Sequence, residues 1–301
     1  MTIRAKYEDR RVAGYDQAGW RDYVALMKPG VISLVSFTGL CGMLAARVPI
    51  DPILGLTALL SICVAAGASG AFNQWYERDT DALMQRTANR PLPSKRIHPD
   101  DALAFAIILA GCSVMVMGLA TNWLASALLV VSIFYYCGIY TVWLKKRSAQ
   151  NIVVGGAAGA FPPVIGWIAV TGEGGLLPWL MFALIFMWTP PHFWSLSLYM
   201  RNDYARAGIP MLPVVAGRKA TRLSILMYSC FLVPISLLPW WFGLTGLLYG
   251  LTAIGMSGLF LFGAWRVAYS TDLIHARRLF LFSISYLFVL CSALALDRIL
   301  L

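Results

Sequence analysis

The chain has 301 residues, of which 59% are hydrophobic and only 13% are charged, and its mean hydropathy is +0.70. Charged residues make up about 25% of an ordinary soluble domain. A charged fraction of 13% therefore excludes an ordinary soluble protein. The net charge of +10 is spread between apolar blocks and accompanies no nucleic-acid-binding motif, so it does not indicate a nucleic-acid partner.

The apolar residues form nine long blocks that alternate with polar segments along the chain. A helix of about 20 residues crosses the hydrocarbon core of a bilayer, which is about 30 Å thick. The sequence therefore predicts an all-α integral membrane protein, with a cytoplasmic N-terminal segment over 1–27 and a single polytopic domain over 28–301. The predicted spans are 30–47, 52–75, 101–121, 123–143, 152–171, 177–198, 222–242, 245–265 and 279–296.

The basic residues lie almost entirely on one side of this predicted topology. Of the 24 Lys and Arg, 22 fall in the segments before spans one, three, five, seven and nine, and only Arg47 and Arg298 fall on the other side. Because positive charge is retained in the cytoplasm during insertion, we expect a cytoplasmic N-terminus. The first thirty residues show neither a cleavable signal nor the acid-poor composition of a transit peptide, which favours a bacterial inner membrane.

The six cysteines all lie inside predicted spans and form no CxxC pair. Free cysteines at such positions pack as small apolar residues, so we expect neither disulfides nor a cysteine metal site.

The strongest chemical signal lies at the end of the second span, in NQWYERDTDALMQRTANRPLP over 73–93. Asn73, Glu77 and Asp81 are four residues apart, so a helix places them on one stripe, from which Asp79 points away unless the helix ends first. Oxygen ligands in such a pattern suit Mg²⁺, which bridges carboxylates to substrate phosphates. The stripe covers about 12 Å, so a single ion cannot touch all three unless the helix unwinds.

Basic residues follow the stripe and recur in other segments on the same side. Arginines beside metal-binding acids are the composition of a diphosphate site. A solvated loop with internal salt bridges, or the charge bias of the topology alone, explains the same residues. The candidate substrate-binding residues are Lys28, Arg86, Arg90, Tyr140, Lys146, Arg147 and Asn151.

A second polar stretch, TPPHFWSLSLYMRNDYARAGIPMLP, covers 189–213 at the end of the sixth span. Pro190 and Pro191 predict an interruption or a kink. His192 lies at membrane depth and is a candidate base, phosphate donor or iron ligand, against the alternative of a structural histidine. Asp203 is a candidate second metal ligand, direct or through water. The ends of both loops, RTANRPLP and RAGIPMLP, suggest an internal pseudo-repeat.

These residues resemble those of a known enzyme family. Asn73, Glu77 and Asp81 resemble the NDxxDxxxD motif of the UbiA superfamily of intramembrane prenyltransferases, with Gln74 and Glu77 as departures from it. More closely, the first acidic stretch, LKKRSAQNIVVGGAAGAFPPVIGW, WTPPHFWSLSL and DYARAGIPMLPVVAG resemble the protoheme IX farnesyltransferase (heme O synthase) family within that superfamily. The resemblance covers nearly the whole chain from Lys28.

The resemblance implies nine helices around a central cavity that opens to lipid, and a reaction of farnesyl diphosphate with heme b that gives heme O and diphosphate. Mg²⁺ on Asn73, Glu77 and Asp81, with Asp203 opposite, would hold the diphosphate, and heme b is a substrate, not a resident cofactor. Heme A synthase or terminal oxidase assembly would take the product. Aromatic rings that could shield the cationic intermediates, or simply pack, are Trp75, Tyr76, Tyr140 and Trp194.

Three other functions fit parts of this pattern. A related prenyltransferase would act on a quinone or another aromatic precursor. A polytopic transporter would place its polar residues near the bilayer midplane, whereas here they gather at one face. A non-catalytic heme-handling protein would bind heme without consuming a prenyl diphosphate.

Overall fold

The computed structural model describes residues 18–300, which are helical with no strand. Residues 1–17 of the predicted N-terminal segment, and with them four of its basic residues, lie outside the described part. In chain order the helices are α1 Trp20–Leu26, α2 Pro29–Ala45, α3 Pro52–Ala82, α4 Pro99–Ala120, α5 Trp123–Phe134, the π-helix π1 Tyr135–Leu144, α6 Asn151–Ala160, α7 Pro162–Thr171, α8 Leu176–Tyr199, α9 Arg201–Arg206, α10 Leu212–Val215, α11 Gly217–Trp241, α12 Leu247–Tyr269 and α13 Leu273–Leu300.

Eight helices of the described part are long and apolar enough to cross a membrane, where α5 with π1 and α6 with α7 each count as one. They match the second to ninth predicted spans. The first span differs from the prediction, because α2 has only 17 residues and reaches the required length only together with α1, from which it bends by 57°. The count of nine holds when this bent pair is one span.

The length of α3 decides where the acidic stripe lies. Its N-terminus is capped by Asp51, whose carboxylate accepts the backbone N–H groups of Ile53 and Leu54 at 2.8 and 3.0 Å. Its 31 residues extend about 46 Å, well beyond a hydrocarbon core of about 30 Å. The last turns, which carry Glu77 and Asp81, therefore emerge at the face of the bundle from which the long loops project.

Small residues let the helices beside α3 approach closely. A Cβ on Gly42 would lie 2.1 Å from the Pro163 carbonyl oxygen, and one on Gly166 would lie 2.2 Å from that of Gly39. These contacts join α2 and α7 with almost no space between the backbones, as small residues do in membrane bundles. The outer faces of α4 and α12 instead expose large apolar side chains such as Ile108 and Leu251. This distribution is that of a protein solvated by lipid.

The two long loops pack on each other over the helix ends. Met84 of the first loop, Ile152 of α6 and three residues of the second loop form one buried cluster, with Tyr204, Ile209 and Met211 as its members from the second loop. The loop after α3 and the loop after α8 are thereby held above the same part of the bundle, where the acidic stripe ends.

Candidate active site

The acidic stripe of α3 is buried and continuous. Asn73, Glu77 and Asp81 retain 1%, 2% and 1% of their surface, and α3 stays helical through Ala82. Asp79 points away with 91% of its side chain exposed. The predicted stripe is therefore confirmed. The alternative in which the helix ends before Asp79 is wrong.

Each member of the stripe has a cation from a different segment of the chain. Lys28, in the hinge between α1 and α2, donates to the amide oxygen of Asn73. Lys145 Nζ lies 2.6 Å from Glu77 Oε2, directly after π1. Arg90, from the loop after α3, donates from Nη1 to Asp81 Oδ2 at 2.6 Å. Three segments that are distant in sequence thus converge on one face of α3.

The charges of this cluster act on one another at close range. Burial favours the neutral amine of Lys145, but the Glu77 carboxylate outweighs this effect and raises the pKa of Lys145. Lys28 also lies within electrostatic range of both carboxylates and of the other two cations. The site is therefore a compact network of alternating charge with little water around it, where charge interactions are stronger than in bulk solvent.

In both Glu77 and Asp81, one carboxylate oxygen takes no part in the ion pairs of this network. Glu77 Oε1 and Asp81 Oδ1 are buried and have no hydrogen-bond partner, and Asn151 Oδ1 is in the same condition. Buried acceptors without partners are uncommon in proteins and costly. Unpartnered carboxylate oxygens one helical turn apart are the donors that a hard divalent cation or its bound waters require, so Glu77 and Asp81 fit Mg²⁺.

The predicted four-residue metal set is not assembled as a single coordination shell. Within residues 18–300 no three His, Cys, Asp or Glu side chains converge on one point. α3 does not unwind, so the stripe keeps its length of about 12 Å, and the Asn73 oxygen is already bound by Lys28. Asp203 pairs with Arg206 three residues along the same short helix. Among the described residues, Glu77 and Asp81 are the two acids with a buried carboxylate oxygen that has no hydrogen-bond partner.

The π-helix brings Lys145 to the acids. Tyr136 and Lys145 are nine residues apart, which places them on opposite sides of a helix with 3.6 residues per turn. The wider i→i+5 turn, visible where Lys145 N–H bonds to Tyr140 O at 2.9 Å, makes nine residues close to two full turns. Tyr136, Tyr140 and Lys145 therefore share a face. Thr141 beside them accepts a hydrogen bond from Asn73 Nδ2 at 3.2 Å.

Gln74, the departure from the family motif, has a structural explanation. Its side-chain amide donates to the carbonyl oxygens of Ala25 and Leu26 at 2.9 and 3.0 Å, at the end of α1. An aspartate has no donor for these carbonyls. The clamp holds α1 against α3 directly before Lys28, whose backbone has a φ of 58°, an unusual conformation for a residue with a Cβ.

Tyr140 and Asn151 lie at the site as predicted. The Tyr140 ring contacts the ammonium of Lys145 at 5.7 Å and packs against α6, where a Cβ on Gly155 would lie 2.2 Å from the ring. Asn151 is fully buried and donates to the carbonyl of Lys145 at 3.1 Å, which ties the start of α6 to the end of π1.

Other predicted residues lie at the edge of the site. Lys146 and Arg147 are exposed, and the Lys146 ammonium contacts the Tyr76 ring at 5.7 Å. Arg86 is also exposed, within electrostatic range of Tyr140. Lys145, which was not among the predicted residues, is the member of this basic run that pairs with the acidic stripe.

His192 is oriented by α13 and not by the acidic cluster. Its ring is stacked between Trp188 at 4.2 Å and Phe280 at 4.8 Å. The Ser283 hydroxyl lies 2.6 Å from Phe280 O and 2.5 Å from His192 Nδ1. Both contacts are satisfied together when Ser283 donates to Phe280 O and accepts from Nδ1–H, an arrangement that leaves the Nε2 lone pair available. The prolines before it do not interrupt α8, which is helical through both.

Two of the predicted aromatic shields are packing residues. Trp75 packs with Phe72 in a cluster behind α3, and Trp194 is 2% exposed in the main core, edge-on to Tyr228. The aromatic side chains beside the acids are instead Tyr136 and Tyr140, whose rings are 5.5 Å apart. Sequence analysis missed Tyr136 because its facing depends on the π-helix.

Comparison with known sequences gives a consistent result. A family model described as the UbiA prenyltransferase family matches residues 34–288. A protoheme IX farnesyltransferase of Rhizorhabdus wittichii is 54% identical over 294 residues, covering 96% of this chain and 97% of its own. A protein of the same name from Granulibacter bethesdensis is 56% identical over 286 residues, covering 92% and 90%.

Solved structures share the fold at low sequence identity. A digeranylgeranylglyceryl phosphate synthase matches with a TM-score of 0.78 and 17% identity, over 93% of this chain and 99% of its own. A UbiA homologue from Aeropyrum pernix matches with a TM-score of 0.72 and 19% identity, over 89% and 98%. A UbiA homologue from Archaeoglobus fulgidus bound to GPP and Mg²⁺ matches with a TM-score of 0.62 and 14% identity, over 93% and 100%.

Proposed function

The chain belongs to the UbiA prenyltransferase family, and from this premise we propose that it transfers a farnesyl group from farnesyl diphosphate to a vinyl group of heme b, with addition of water, to give heme O and diphosphate. The observation that carries the prenyl transfer is the pair of buried carboxylates with unpartnered oxygens, surrounded by Lys28, Arg90 and Lys145. The relatives at more than half identity over nearly the whole chain, all named protoheme IX farnesyltransferase, support heme as acceptor.

Glu77 and Asp81 would hold Mg²⁺ through their unpartnered oxygens. When bound, the ion supplies positive charge that neutralises the diphosphate and makes it a better leaving group. Asn73 joins this set only if Lys28 releases its one side-chain oxygen, whereas Asp203, like Glu77 and Asp81, is paired with its cation through one carboxylate oxygen.

The three cations of the site then act on the leaving group. When the C1–O bond of farnesyl diphosphate breaks, its electron pair moves to the diphosphate oxygen. Lys145 and Arg90 are donors already fixed at the site by Glu77 and Asp81, and Lys28 is fixed by Asn73. Donors that are positioned before the reaction stabilise this developing charge without reorganisation. Lys146, Arg147 and Arg86 add long-range positive potential from the edge.

The allylic cation that remains needs an environment without water. Tyr136 and Tyr140 present aromatic rings beside the charged cluster, and ring faces attract cations. The vinyl group of heme attacks C1 of the cation, and water adds to the new cation on the porphyrin side and loses a proton. The free Nε2 of His192 can accept that proton or bind the heme iron, and Ser283 holds its ring for either role.

We also propose the membrane in which the protein lies and the side on which its active site opens. The chain is a multi-pass membrane protein, and the charge bias of its loops supports a bacterial inner membrane with the site at the cytoplasmic face. Farnesyl diphosphate would enter there with its tail among the helices. Heme O is a substrate for oxidation to heme A or for direct use in a terminal oxidase, so heme A synthase or oxidase assembly proteins are the proposed recipients.

A turnover assay tests the proposal. Purified protein in detergent is mixed with heme b, farnesyl diphosphate and Mg²⁺, and the extracted hemes are analysed by mass. We expect a heme product heavier by one farnesyl group and one hydroxyl group, together with released diphosphate, and no product when EDTA replaces Mg²⁺. Diphosphate release only with a quinone precursor would retain the family and refute heme as acceptor. Substrate movement without diphosphate release would indicate a transporter.

A further inference from the structure

Two arginines lie at the end of the bundle opposite the active site. Arg47 follows the last turn of α2, and Arg298 is in the last turn of α13. Within residues 18–300 they are the only Lys or Arg at that end, since all the others lie at the ends of helices and in loops on the active-site face. The charge bias that explains the other basic residues disfavours these two, so a local reason is required.

The two arginines line a single cavity of about 340 Å³, whose other walls are apolar and formed by Leu44, Val48, Ile50 and Ile299. Arg298 is anchored, because its Nε donates to Ala45 O at 2.9 Å and its Nη1 donates to Leu244 O at 3.2 Å. Arg47 has a φ of 57°, a conformation that a residue with a Cβ seldom adopts and that places it at the rim of this cavity.

Neither guanidinium has an acidic partner in the part of the chain that the structure describes. The acids nearest in sequence are already bound. The Asp297 carboxylate accepts the backbone N–H of Tyr249 at 3.0 Å, and the Asp51 carboxylate caps α3. The charge of Arg47 nevertheless acts directly on Arg298. Two like charges therefore share one cavity, and an anion between them would remove their repulsion.

We propose that this cavity binds the headgroup of an anionic phospholipid from the membrane leaflet opposite the active site. Phosphate oxygens match the N–H donors of a guanidinium, and both arginine side chains line the cavity. The apolar walls suit the glycerol and the first methylene groups of the acyl chains. The cavity lies at the ends of membrane-spanning helices, which is the depth of lipid phosphates. Inorganic phosphate would interact with the two arginines but would make no contact with the apolar side chains of the cavity.

Native mass spectrometry of the full chain in detergent tests the proposal. Dioleoylphosphatidylglycerol, dioleoylphosphatidylcholine and inorganic phosphate are titrated separately. We expect phosphatidylglycerol to bind at least about tenfold more tightly than phosphatidylcholine, and Arg47→Gln to remove about tenfold of that affinity, because one charge-assisted hydrogen bond is lost. Arg218→Gln, which removes an exposed charge at the other end of the bundle, is the matched control and should keep the preference.

Equal binding of the two lipids, or an unchanged preference in Arg47→Gln, would overturn the proposal. Inorganic phosphate that binds as tightly as phosphatidylglycerol would make this a soluble-anion site and exclude the lipid. Arg47 makes no hydrogen bond that the fold needs, so its variant should fold. The wild-type protein offers an independent measurement, since the preference for phosphatidylglycerol should weaken as NaCl is raised from 50 to 500 mM. A preference that does not change with salt would contradict it.

Discussion

The ion pair between Lys145 and Glu77 makes the sharpest prediction, because both partners are buried. Their side chains are 13% and 2% exposed and their charged atoms are 2.6 Å apart. Lys145→Met keeps the length and the apolar stem of the side chain but leaves the Glu77 carboxylate without its cation. Removing one partner of a buried ion pair costs about 3–5 kcal/mol, because the remaining charge has neither water nor a counter-ion.

The assay is unfolding in mixed micelles with increasing SDS, followed by the fluorescence of the chain's 11 tryptophans. Lys145→Met should lower the free energy of unfolding by about 3–5 kcal/mol. Lys146→Met removes the same charge from an exposed position and should change it by less than about 0.5 kcal/mol. The double variant Lys145→Met with Glu77→Gln should regain much of the loss, because no unpaired charge remains.

Turnover separates the structural role of this pair from its chemical role. The double variant recovers stability but has lost both a metal ligand and a diphosphate donor, so it should remain inactive. A loss below about 1 kcal/mol in Lys145→Met would refute the reasoning, since that is the value of an exposed pair. Recovery of turnover in the double variant would show that Lys145 only balances the charge of Glu77.

Three further substitutions test other parts of the site. Asp81→Asn should reduce heme product formation by at least about 100-fold while far-UV circular dichroism stays unchanged, and near-normal turnover would exclude Asp81 as a metal ligand. Gln74→Asp removes both donors to the end of α1 and places an acceptor against its carbonyls. It should raise KM for farnesyl diphosphate more than it lowers kcat, because it displaces Lys28, and Gln74→Asn should restore part of the change. Gly155→Ala would place a Cβ 2.2 Å from the Tyr140 ring. It should cost about 1–3 kcal/mol in the same unfolding assay and lower kcat, whereas Gly159→Ala, with open space around its Cβ, should do neither.

The fold was largely predictable because the bilayer imposes a length on every span. Eight of the nine predicted spans coincide with helices that can cross a membrane. The first predicted span, 30–47, coincides with α2, but the bend between α1 and α2 was not predicted, because hydropathy does not report a bend. The break at Lys28 follows from a backbone conformation and from the Gln74 clamp, whose partners Ala25 and Leu26 are 49 and 48 residues away.

The acidic half of the site was predictable and the basic half was only partly so. Asn73, Glu77 and Asp81 lie on one helix, where the period of 3.6 residues alone decides which side chains share a face. Arg90 pairs with Asp81 and Asn151 is bound to the end of π1, whereas the cation that meets Glu77 is Lys145 and not the predicted Lys146. Within the run of Lys145, Lys146 and Arg147, the residue that faces the acids depends on the phase of π1, and no α-helical period predicts a π-helix.

Features that depend on local chemistry can be read from the amino-acid sequence: the membrane-spanning helices, the one-sided distribution of basic residues, and the stripe at the end of α3. The packed bundle is needed to show which cation meets which acid, that Ser283 contacts His192, and that Arg47 and Arg298 line one cavity. The difference lies in the sequence separation over which each interaction acts. Helix period and hydrophobicity act between near neighbours in the chain, whereas ion pairs and cavities join segments up to about 250 residues apart, whose meeting is decided by the packing of the whole bundle.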